Sequence, residues 1–113
     1  MPLPDIDFKE ITKQMIIAAQ GAISEDITDI KDLAEGEFKD FAMRTVELAV
    51  KVADGTISVE QAKFILDIRQ TAMKGVLLSI QGIGMIAVQG AINAILDVLK
   101  ETLNEAIPVI DIL

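Results

Sequence analysis

The chain has 113 residues, a net charge of −8, a pI near 4.3 and a mean hydropathy of +0.45, so it is one domain, acidic and apolar for its size. Phosphate-backbone binding needs clustered cations, and here Arg44 and Arg69 are the only arginines among eight scattered lysines, which argues against a nucleic-acid partner. Cys, His, Trp and Tyr are absent, so disulfides, thiolate zinc sites and the usual nucleophile–base pairs cannot be assembled. No enzyme, cofactor or metal is expected.

The first residues, Met1-Pro2-Leu3-Pro4, lack a basic stretch followed by an apolar one, so no signal peptide is expected. Asp5 or Asp7 is suited to cap a helix. From there, Phe8, Ile11, Met15, Ala19, Ala22/Ile23, Ile27, Ile30 and Leu33/Ala34 recur in steps of three and four, which predicts a helix over 7–34. A kink is expected near Gly36, followed by a second helical stretch over 37–54. Asp54-Gly55-Thr56 reads as a helix stop, and Ser58 with Gln61 three residues on matches a capping box. No stop signal follows until Pro108, so a third helix is expected over 59–106, roughly 70 Å long at 1.5 Å per residue. Phe8, Phe38, Phe41 and Phe64 are the only aromatic residues and are expected to anchor the core.

The predicted architecture is all-α: a long antiparallel hairpin closing at Asp54-Gly55, with a kinked first arm over 7–54 and the long helix as its second. A break at Gly82-Ile83-Gly84 would give a four-helix bundle instead. A near-repeat supports the hairpin, because Ile17-Ala18-Ala19-Gln20-Gly21-Ala22-Ile23 recurs as Ile86-Ala87-Val88-Gln89-Gly90-Ala91-Ile92 about that turn. Ala18, Gly21, Ala22, Ala87, Gly90 and Ala91, with Gly82 and Gly84, are expected to line a close helix contact or oligomer interface.

No charge occurs between Lys74 and Asp97, a run long enough to span a bilayer but interrupted by Ser79, Gln81, Gln89 and Asn93. Gln81, Gln89 and Asn93 are expected to form a polar seam between helices. Glu25, Asp26, Asp29, Asp32, Glu35, Glu37 and Asp40 read as a solvated acidic face, without the spacing of an EF-hand. The segment 107–113 is an apolar tail, with Val109, Ile110, Ile112 and Leu113 expected to dock on a neighbour.

These features imply a non-enzymatic structural subunit of a homo-oligomeric ring, tube or particle, such as a component of a bacteriophage virion or a secretion-type apparatus. Its partners would be further copies and other assembly subunits. Its place would be the cytoplasm, or an assembled particle. One alternative is a membrane-active, holin-like or pore-forming protein inserting residues 75–96. A second is an acidic module for a basic partner.

Overall fold

A computed structural model describes residues 6–23, 29–79, 84–106 and 112. Among them the chain forms four helices and no strand: α1 (Phe8–Ile23), α2 (Asp29–Ala53), α3 (Val59–Leu78) and α4 (Met85–Ala106).

Local chemistry sets the ends of these helices. The Asp7 carboxylate accepts from the backbone N–H of Lys9 at 3.1 Å and of Glu10 at 3.2 Å, satisfying two donors that the first turn of α1 leaves open. At the end of α2, Gly55 takes a φ of 78°, which costs a residue without a Cβ little. The N–H of Gly55 then reaches Val52 O at 3.0 Å and that of Thr56 reaches Lys51 O at 2.8 Å, the pair of bonds of a Schellman stop. Ser58 opens α3 with the expected capping box: its Oγ accepts from the Gln61 N–H, and the Gln61 Oε1 accepts from the Ser58 N–H.

α1 and α4 each bury one stripe. In α1 it is Ile11, Met15, Ala19 and Ile23, four residues apart, and in α4 it is Val88, Ala91, Ile92, Ile95, Leu99 and Leu103. Phe38 and Phe41 of α2 and Leu66, Met73 and Leu77 of α3 complete the core. Two buried polar residues, Thr12 and Thr45, donate to the carbonyls of Phe8 and Phe41 one turn back, so neither hydroxyl is left without a partner.

α1 packs most extensively on α4 and then on α2, while α2 packs on α3. The α3–α4 contact is thinner. The result is a four-helix bundle, 43 × 25 × 18 Å, with a radius of gyration of 14.0 Å. That is close to the roughly 13 Å expected of a compact chain this long.

Three expectations are corrected here. The helix over 59–106 is two helices, because a rod of about 70 Å cannot lie within a 43 Å body and α4 instead folds back to cover α1. The first arm does not kink at Gly36, which lies inside the continuous α2. The expected helix over 7–34 is represented by two elements, α1 ending at Ile23 and α2 beginning at Asp29. Finally, Phe38 and Phe41 are core residues and Phe8 is partly buried against the core, but Phe64 is 67% exposed.

Candidate functional site

The twin segments come together inside one chain, on the α1–α4 contact. A Cβ placed on Gly90 would stand 3.9 Å from the Ala22 Cβ. Further along, Ile11 and Gln14 of α1 share a cleft with Val98 and Thr102 of α4, so the two helices run antiparallel. The small residues do not contribute equally. Ala91 is buried, Ala18, Ala87 and Gly90 are half-buried, and Gly21, Ala22 and Gly84 are exposed. A Cβ at Gly21 or Gly84 would meet nothing within 4 Å, so Gly90 is the glycine that faces a neighbouring helix. Gly82 lies outside the described residues.

Gln89 and Asn93 are exposed on α4, where Gln89 Nε2 donates to Asn93 Oδ1 at 3.1 Å. The bond lies within one helix and does not join two of them. Gln81 lies outside the described residues, as do Val109, Ile110 and Leu113 of the tail. Ile112 is buried, 3% exposed, within the chain's own core, so its side chain is covered without a second copy.

The cleft between the start of α1 and the end of α4, about 510 Å³, is lined by Asp7, Glu10, Glu101 and Glu105 with no cation among the described residues around it. No group of three or more metal-ligating side chains gathers among the described residues. The carboxylates of Glu25, Asp26, Asp29 and Asp32 lie outside what the structure describes. Ser58 and Ser79 are both used at helix ends, Ser58 as the α3 cap and Ser79 donating its hydroxyl to Val76 O at 2.6 Å. Ser24 lies outside the described residues. No described helix is long and apolar enough to cross a membrane, because the uncharged run is divided between α3 and α4.

The surface that sequence reasoning missed is the outer side of α3. Ala62, Leu66, Met73 and Leu77 turn inward, while Phe64, Ile68 and Leu78 stand outward at 67%, 56% and 39% exposure. Phe64, Ile68, Thr71, Gly75 and Leu78 follow one another at spacings of four, three, four and three, the seam period of a two-stranded coiled coil. Near its first turn, Phe64 joins Ile57, Gln61 and Ile65 around a shallow groove of about 440 Å³. The spacing was readable in the sequence, but α3 also carries an inner apolar stripe, and only the fold shows which of the two is left over.

No family model, no curated protein and no solved structure matches this chain.

Proposed function

We propose that this chain is a non-enzymatic structural subunit that associates with copies of itself, building a ring, tube or particle of the kind found in bacteriophage virions and secretion-type apparatus. The observation that carries the reading is the outer stripe of α3. Large apolar side chains project there from a helix whose opposite side already supplies the core. Three large exposed apolar residues aligned on one helix differ from the isolated ones any surface carries, and an apolar patch of this kind marks an interaction site. The acidic charge of −8 disfavours a nucleic-acid partner. Assembly, rather than chemistry, then accounts for a chain without His or Cys.

Native mass spectrometry and light scattering across a wide concentration range test this reading. Species larger than the monomer, growing with concentration, are the expected result. A monomer throughout overturns it.

A further inference from the structure

We infer that the outer face of α3 is a two-fold interface, in which α3 of a second copy packs antiparallel with Phe64 of each chain over Gly75 of the other and Asp67 beside Lys74. This rests on the self-assembly reading and adds to it the partner, the orientation and the register of one contact; a two-fold contact closes a dimer, the unit from which a larger assembly would be built.

The stripe is self-complementary in shape. Pairing Phe64 with Gly75 of a second copy places Ile68 level with Thr71 and Leu78 level with Gln61, and each relation repeats in reverse across the two-fold axis. Phe64 is the bulkiest outward side chain, and Gly75 is the one outward position without one. A Cβ on Gly75 would meet nothing within 4 Å, so the space above it is open to receive a ring. Thr71 donates its hydroxyl to Asp67 O at 3.0 Å, which satisfies its polar group within the helix. Leu78 of each chain then reaches the shallow groove of the other, which is bounded by Ile57, Glu60, Gln61, Phe64 and Ile65.

The charges select the orientation. Asp67 and Lys74 are seven residues apart, so they lie along the same edge of the stripe, and neither is ion-paired among the described residues of its own chain. In an antiparallel pair related by a two-fold axis, equivalent edges meet, and the register above sets Asp67 of each chain next to Lys74 of the other. Two opposite-charge contacts result. In a parallel pair this edge would meet the other one, which carries Ile65 and Ala72, and the charges would have no partners. One helix pair of 20 residues is small for an interface, so a reversible dimer rather than a permanent one is expected.

Sedimentation equilibrium of the full-length chain and four variants tests the register. Asp67→Lys and Lys74→Asp should each weaken association roughly tenfold by placing like charges together. The double variant, Asp67→Lys with Lys74→Asp, should return it to near the parent value. Gly75→Leu should abolish association without lowering the melting temperature followed by circular dichroism, since the added side chain enters open space in the monomer. A double variant as weak as the singles, or Gly75→Leu associating like the parent, overturns the interface. A parent chain that associates but is indifferent to all four changes overturns this interface and leaves the assembly reading standing, whereas a parent chain that never associates overturns the assembly reading as well. Flotation of a monomer with phosphatidylcholine vesicles would assign the face to lipid and also overturn the proposal.

Discussion

Gly90 on α4 and Ala22 on α1 face each other so closely that a Cβ on Gly90 would lie 3.9 Å from that of Ala22. That distance is ordinary van der Waals contact, so one methyl fits, and a larger side chain must turn away from Ala22 or push α1 aside. Gly90→Ala should therefore stabilise the fold by up to about 1 kcal/mol through helix propensity. Gly90→Leu should cost about 1–3 kcal/mol through overpacking. Urea unfolding of both variants is the check. Because the contact is within one chain, the Leu variant should lose fold stability before assembly, and equal stability of the two would show that α1 and α4 do not approach here.

Phe38 and Phe64 test which side of each helix faces the core. Phe38 is fully buried, and Phe38→Ala should cost about 3–5 kcal/mol. Phe64 is 67% exposed, and Phe64→Ala should change monomer stability by less than about 1 kcal/mol. Chemical denaturation at low protein concentration separates them. Similar losses at both positions would mean that α3 is turned the other way.

Glycines at Gly36 and Gly55 should respond with opposite sign. Gly36 lies inside α2, and a methyl added there would meet nothing within 4 Å, so Gly36→Ala should raise stability by about 0.5–1 kcal/mol. Gly55 sits at φ 78°, where a Cβ is strained, so Gly55→Ala should lower it by about 1 kcal/mol. Thermal melts followed by circular dichroism decide this, and a loss at Gly36 would indicate a bend there.

Ile112 lies in the chain's own core, so Ile112→Ala should cost about 2–4 kcal/mol in the monomer. The measurement is unfolding at two protein concentrations. A loss that appears only at the higher concentration would place Ile112 in a contact between chains instead.

Features that depend only on neighbours along one helix are written in the linear pattern. The Asp7 cap, the Ser58–Gln61 box, the Gly55 stop and the four-residue stripe of α1 are of this kind, each complete within a few residues. Helix content was legible for the same reason. The way the helices lie on one another settled the rest. Glycines near residue 82 cost only about 1 kcal/mol each in a helix, too little to end one alone. Burying Val88, Ile92, Ile95, Leu99 and Leu103 against the other helices favours folding α4 back over extending a bare rod into water. Gly36 illustrates the reverse, since α2 runs on through a residue that could have broken it. On α3 the sequence offers two apolar stripes with equal periodicity. Only the packing of α3 on α2, with a thinner contact on α4, determines that Leu66 and Met73 are covered while Phe64 and Ile68 remain on the surface.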